Sequence, residues 1–529
     1  MTLLQRYNCL DTIATFRLWE TLSEAASPQA KETYSLSKSL SAPLLFAMLK
    51  GIRIDLETMS ALYSQFSAEC KVLEDLLDDI TMPLGMDVIN LSSPTQVKWL
   101  FACLGEDLDS SDRETLEQVA KADLDLAPVC NIILAWRDRA KMMTILRPSL
   151  VDADGRMRTF YKVSGTETDR LSSSKNALWT GMNMQNIKRD EKASQVHRAS
   201  IRSIFVSDPG TVFLNVDLER ADAWGVALEV LQSTGDRTYL DAVRSFDLHT
   251  TVSRLIWPNL DWSTQDWGHN IKVAKQFFYR QYDYRFMAKK AGHGSNYLGQ
   301  PRTLAIQMKI PTHLAQEAQD AYFAAFPGIR PWHLIKSKEL QTTGRLTNLF
   351  DRTRAFHGRL DSMATLREAI AFLGQSTTAG SINRSLLQAW DLQLRRPDLG
   401  VEFLAQVHDS LLFQIPEDCA AIAIPMLLEV LKVPITVTDP SSGLPESHTI
   451  PLEASIGWNW SSHSSLNPDG LLPLENMSDP LANRAGRTRH PPAQELGFMD
   501  RRISSIHRRS QQPDHLPEMG GLDYLRGGP

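Results

Sequence analysis

Residues 285–299, RFMAKKAGHGSNYLG, place Arg285, Lys289, His293 and Tyr297 at intervals of four. Four residues is just over one helical turn, so on a helix they form a slowly drifting stripe along one face. The stripe would be about 18 Å long at about 1.5 Å per residue. Two cations one turn apart suit phosphate, Arg as a planar fork and Lys as a point charge. An amphipathic surface helix would show the same spacing. Gly292 and Gly294 count against that reading, because each costs a helix roughly 1 kcal/mol relative to alanine. Their missing side chains would instead serve the close approach of a base or another backbone.

Two aspartates are the next candidates. Asp217 follows VFLNV, and Asp409 sits in QVHDSLLF. A carboxylate at the end of an apolar strand is costly to desolvate unless a cation or hydrogen bond meets it. Two of them brought together from distant parts of the chain suit Mg²⁺, which takes few carboxylates plus substrate phosphates. Taken singly, each reads first as a turn residue. A third candidate is the segment 166–187, TETDRLSSSKNALWTGMNMQNI, dense in Ser, Thr, Asn and Gln with two cations. Such groups can line a nucleic-acid backbone or minor groove; a plain polar loop has the same composition.

These residues need elements to hold them. The chain has 529 residues, 43% of them apolar, enough for several domains with sizeable cores. No apolar run approaches the ~20 residues of a membrane span, and the N-terminus carries no signal-peptide core. Five scattered cysteines argue for a reducing compartment without a disulfide framework or zinc site. A cytoplasmic location is expected, in the host cytoplasm if the gene is a phage's. Net charge is −6, but it is unevenly spread. Residues 69–125 hold 14 acidic and 4 basic side chains, whereas 137–202 hold 14 basic and 7 acidic. The basic segment is a candidate phosphate-facing surface, or simply a solvated face. Periodicity predicts one helix over 1–25, helices from 27 to about 150, a hairpin-like turn at 152–156, and a strand over 211–219. Residues 222–390 read as mostly helical, and 401–415 as a hairpin with HDS at its turn. Residues 465–529 read as a largely disordered tail.

The three candidates, in this order, resemble a family A DNA polymerase, the bacterial polymerase I and phage replicative type. TDRLSS…NMQNI is similar to the family's T-G-R-L-S-S…N-L-Q-N-I element. VDLERAD stands for motif A, RFMAKKAGHGSNYLG for motif B and QVHDS for motif C. DLHT (247–250), YFAAFPGI (322–329), REAIAFLGQSTTAG (367–380) and a closing GWNW (457–460) support them. The resemblance runs from about 7 to 460. It implies an α+β right-hand polymerase fold, with an antiparallel palm sheet and helical fingers and thumb. The thumb would span 26–155, the palm 156–222 and 367–464, and the fingers 223–366.

The implied activity is template-directed addition of dNTPs to a primer 3′-hydroxyl by two-metal phosphoryl transfer. The setting would be phage or viral DNA replication. Asp217, Asp409 and the Leu218 carbonyl would hold two Mg²⁺, with Mn²⁺ able to substitute. Arg285, Lys289 and His249 would bind the triphosphate, Lys289 also donating a proton to the leaving group. His293, Tyr297 and Asp222 would face the sugar and nascent pair. Arg170, Gln185, Gln375 and His408 would track the primer–template minor groove and primer end.

Several positions depart from the family pattern. Asp222 replaces the usual Glu of the acidic sugar gate, which predicts looser rejection of ribonucleotides. His293 replaces an aromatic ring beside the sugar, Ser410 the Glu after the motif C Asp, Arg220 a Gln, Leu298 a Gly, and Ala371 an Asn. Glu219 is a candidate to compensate for the carboxylate missing at Ser410. Near the N-terminus Tyr7 and Asp11 resemble the third motif of a 3′–5′ proofreading exonuclease, making 1–25 a remnant of that domain. The other exonuclease motifs are absent, so no independent proofreading is expected. A separate exonuclease-domain polypeptide or a processivity factor is a candidate partner, beside primer–template DNA and dNTPs, with no membrane. Two alternatives stay open: a single-subunit RNA polymerase-like nucleotidyltransferase, and a catalytically weak primer–template binding module.

Overall fold

The computed structural model describes residues 2–86, 88–175, 180–187 and 200–474. At its centre is a five-stranded sheet of β1 (Thr211–Leu218), β2 (Glu402–Val407), β3 (Ser410–Pro416), β4 (Leu452–Gly457) and β5 (Leu472–Pro473). Their order is β2-β3-β1-β4-β5, and every neighbouring pair is antiparallel. Alternation in β1 explains why the sheet is covered on both faces. Val212, Leu214, Val216 and Leu218 join one core, with the helices 221–234 and 363–395. Phe213 joins another, with Met157, Phe205, Leu412 and Trp460. Asp217 continues the Phe213–Asn215 side of β1, at the strand's end.

Five helices matter here: α1 (Leu3–Ala25), α2 (Ala221–Thr234), α3 (Leu248–Ile256), α4 (Tyr284–Asn296) and α5 (Met363–Arg395). α2 follows β1 almost directly and packs on α5. A Cβ on Gly225 of α2 would lie 3.1 Å from the carbonyl oxygen of Gly374 on α5, so the two helices meet glycine to glycine. Residues 77–134 bury a core of their own around Val97, Leu100, Phe101, Leu116 and Ile133. Another small core, around Met287, Ala291, Leu304 and Ala315, backs α4.

Two details differ from the sequence reading. The helical text after residue 27 is interrupted by a strand, Ile52–Ile54, which pairs with Arg156–Met157 and Phe205–Val206. Three residues are too few to show a period. Residues 465–474, expected to begin the tail, instead fold back onto the sheet. Leu472 and Pro473 pair with Ile456 and Ser455, and the Asn467 side chain bridges to Asn459. The rest of the expected tail, 475–529, lies outside the described residues. α1 forms as expected, started by a capping box between Thr2 and Gln5. None of its residues is buried, and Leu3, Tyr7, Leu10, Leu18 and Leu22 are exposed. No helix among the described residues is long and apolar enough to cross a membrane.

Candidate active site

β1 and the β2–β3 hairpin bring the two aspartates together. Val407 pairs with Ser410, leaving His408 and Asp409 as a two-residue turn. His408 has a φ of 56° and Asp409 a negative one. That sign pattern belongs to a type II′ hairpin, whose first central position normally takes glycine. A histidine there is strained backbone at the site itself. Asp217 lies directly across from Ser410, and the Asp409 carbonyl accepts the Leu218 N–H at 3.0 Å. On its other side Asp217 faces Glu453 of β4. Directly opposed residues share a sheet face, so Glu453 is the carboxylate that stands beside Asp217 where Ser410 offers none. The text LEASIG signals a strand, but not which residue of another strand Glu453 will face. Glu219, the expected compensator, is instead paired with Arg220.

Arg220 breaks the backbone between β1 and α2, with φ at 54°. Its guanidinium donates to the carbonyls of Val243 (2.9 Å), Ser245 (2.6 Å) and Phe246 (2.8 Å). It thereby ties motif A to the segment that leads into α3. There Asp247 caps α3, accepting from the His249 N–H and the Thr250 hydroxyl, and grips Arg285 of α4 through Nε at 2.8 Å and Nη2 at 2.9 Å. Burial works to raise the Asp247 pKa, but the Arg285 and Thr250 hydrogen bonds outweigh it and hold it at about 2. His249 is pushed down to about 4, first by burial and then by the charges of Arg285 and Lys289. Arg285, Lys289 and a neutral His249 thus meet in one corner.

The stripe is real. Arg285 is half-buried and Lys289 and His293 are exposed, while Met287, Ala288, Ala291, Gly292 and Ser295 are buried behind them. Gly292 has a structural reason: a Cβ there would meet the Tyr322 ring at 3.1 Å. A Cβ on Gly294 would meet nothing within 4 Å. The helix ends in a Schellman motif, Gly299 N–H to Gly294 O at 2.7 Å and Leu298 N–H to Ser295 O at 3.4 Å. Leu298 takes the left-handed position that usually holds glycine, with φ at 58°. Buried polar bonds fix this end, with Asn296 held by Tyr239, Tyr322 and His333. Tyr297 stacks edge-on to His293, ring centroids 5.0 Å apart. Its buried hydroxyl has no hydrogen-bond partner among the described residues.

Arg170 joins the acidic side to the stripe's far end. Its Nη2 donates to Asp222 Oδ1 at 3.1 Å and lies 3.8 Å from Asp409 Oδ1. Asp169, at φ 64°, sets this up: its carbonyl accepts from Asn383 and its carboxylate pairs with Arg352 at 2.8 Å. Gln185 donates to the Leu171 carbonyl at 2.9 Å, beside Arg170. Gln375 is half-buried on α5 and His408 is exposed at its turn. Tyr7 and Asp11 stay on exposed α1. Sequence reasoning missed Asp247 as the partner of Arg285, the anchoring role of Arg220, and Glu453.

The histidines also set an acid limit on the fold. His249 and buried His333 are both held near 4, against about 6.5 when unfolded. Both stabilise the fold fully above pH 6.5 and lose that contribution as pH falls toward 4. Glu229, raised to about 7 by burial, opposes them with one proton. Burial also lowers His293 and His448, which act with the two histidines, and raises Asp169, which acts with Glu229. The thermal midpoint is therefore expected to drop between pH 6.5 and 4.5, and His333→Gln is expected to flatten that slope.

Residues 56–462 match a family model described as DNA polymerase family A. DNA polymerase I of Chloroflexus aurantiacus is 28% identical over 486 residues, covering 87% of this chain and 46% of that protein. The thermostable DNA polymerase I of Thermus filiformis is 25% identical over 462 residues, covering 84% and 50%. The chain spans about half the length of these curated relatives. A solved structure described as the POL domain of Pol1 from M. smegmatis in complex with DNA primer-template and dNTP superposes with a TM-score of 0.65 at 22% identity. It covers 80% of this chain and 69% of that one. The fold is the α+β right hand of polymerases, and the chain belongs to DNA polymerase family A.

Proposed function

We propose that this chain is a template-directed DNA polymerase that extends a primer 3′-hydroxyl with dNTPs. The observation that carries the reading is the hairpin turn that sets Asp409, bonded to the Leu218 N–H, next to Asp217 at the end of β1, with Arg285, Lys289 and His249 gathered on the helices that follow. Residues 26–155 would be the thumb, 156–222 and 367–464 the palm, and 223–366 the fingers, with β5 extending the palm sheet to Pro473.

Among the described residues no cluster of three or more metal-ligating side chains occurs. A pair of carboxylates is nonetheless what Mg²⁺ needs when substrate phosphates and water complete its shell. Asp217 and Asp409 are half-buried hard-oxygen donors side by side, so the donor set fits. They would hold the metal with the Leu218 carbonyl. When bound, divalent metal supplies positive charge that acidifies the primer hydroxyl and neutralises the leaving pyrophosphate. Arg285, locked by Asp247, and exposed Lys289 would bind the triphosphate, and Lys289 would give a proton to the leaving oxygen. His249, neutral at pH 7, would donate a hydrogen bond to phosphate. Arg170 would leave its carboxylates for the primer end, with Gln185, Gln375 and His408 along the minor groove. Asp222 would screen the sugar, with His293 and Tyr297 against the nascent pair.

Primer extension with dNTPs or rNTPs, with and without Mg²⁺, tests this. Metal-dependent extension by dNTPs is expected; extension by rNTPs alone would favour the RNA polymerase reading, and binding without extension the inactive-module reading. Asp247 gives a second test. Asp247→Asn keeps the cap but loses the charge that orients Arg285, so KM for dNTP is expected to rise about tenfold. Asp247→Ala should add roughly 1 kcal/mol of destabilisation from the lost cap, read as a lower thermal midpoint.

An exonuclease-like domain is the partner we assign to exposed α1. Mismatched-primer excision that appears only on mixing the two would support it. The relatives named above are bacterial, and a phage or viral setting is a proposal that the gene's neighbourhood would test.

A further inference from the structure

Thr378 lies on α5, fully buried, with its hydroxyl 3.3 Å from Asp222 Oδ1 on α2. A buried helical threonine commonly returns its hydroxyl to the carbonyl four residues back; here the bond recorded for it crosses to another helix. Its neighbour Thr377, equally buried, has a hydroxyl with no partner among the described residues, so packing between these helices does not by itself satisfy hydroxyls. The Gly225–Gly374 crossing permits the approach that puts Thr378 within reach. Arg170 Nη2 lands on the same oxygen at 3.1 Å. Asp222 Oδ1 therefore takes two donors, one from the palm loop and one from α5, and Oδ2 takes none among the described residues. The unpartnered Tyr297 hydroxyl sits in the same corner, 3.1 Å from where a Cβ on Gly374 would be.

We propose that Thr378 is a specificity-determining positioning residue: its hydroxyl, with Arg170, fixes the Asp222 carboxylate so that Oδ2 faces the 2′ position of the incoming nucleotide. This rests on the reading of Asp222 as the group that screens the sugar. An aspartate is a methylene shorter than glutamate and reaches less far. Two donors on one oxygen stop it from turning away and so preserve the screen.

The test compares kcat/KM for a dNTP and the matching rNTP in primer extension by the full chain. Thr378→Val keeps the shape and removes the donor; it is expected to lower the deoxy-over-ribo ratio about three- to tenfold, through faster ribonucleotide use. Thr378→Ala, which cannot clash, should show the same fall, and Thr378→Ser should restore the ratio to within about twofold. In the Asp222→Ala background, Thr378→Val should add nothing. If Asp222→Ala lowers the ratio and neither Thr378→Val nor Thr378→Ala does, the role of Thr378 is overturned and the screen stands. If Asp222→Ala leaves the ratio unchanged, the screen itself is overturned.

Discussion

Asp409→Ala is expected to abolish primer extension, lowering kcat by roughly 10³-fold or more, while primer–template affinity stays within a few-fold. On the proposed function Asp409 is one of two carboxylates that would hold metal charge worth several kcal/mol to the transition state, and the variant removes it. The backbone should not suffer. What Asp409 contributes to the sheet is its carbonyl, accepting from Leu218, and alanine keeps a carbonyl. Removing the carboxylate also relieves Arg170 of a partner 3.8 Å away, which frees that cation for DNA rather than weakening it. Extension assays and fluorescence anisotropy of labelled primer–template check both halves. Loss of binding in step with loss of rate would mean that the hairpin had collapsed and the residue was structural.

Lys289→Ala is expected to cut kcat by about 10²–10⁴-fold if Lys289 delivers a proton, and to raise KM for dNTP as well. Lys289→Arg separates the two contributions. Arginine keeps the charge and binds phosphate, but it does not deprotonate in proteins. It should therefore recover KM while kcat stays low. Lys289 is exposed on α4 and carries no ion pair among the described residues, so neither change disturbs a packed core. Full recovery by arginine in both constants would leave the residue as a binding charge only. Removing its charge should also let the His249 pKa rise, since that charge helps to hold it near 4; NMR titration of His249 reads this directly.

The parts legible in the sequence are those written locally. Spacing of four marked the stripe of α4, and apolar runs around HDS marked the hairpin. A β-branched run ending in Asp217 marked the central strand. What was illegible depends on contacts between distant segments. Gly292 looked like a flaw in a helix until Tyr322, thirty positions on, was found against it. Arg220 looked like a departure from a motif, yet it is a clasp on the carbonyls of 243–246. Arg285 was read as a phosphate ligand from its position, but no periodicity announces that Asp247 holds it. Glu453 was hidden because a register is a property of two strands, and one strand's text carries only its own half.

The strand order has a consequence for how the protein comes to exist. β1 sits in the middle of the sheet, yet its neighbours β3 and β4 are encoded about two hundred residues later. At about 5–20 residues per second, roughly 10–40 s of translation separates Asp217 leaving the ribosome's catalytic centre from Asp409 following it. Throughout that interval β1 is an apolar strand with both edges open, the kind of segment that pairs with the wrong chain. The helices of 223–395 emerge first and can cover one of its faces, but not its edges. The molecule is therefore most vulnerable to aggregation while it is being made, and a chain cut short before residue 409 would carry Arg285, Lys289 and His249 but lack Asp409 and the hairpin that places it.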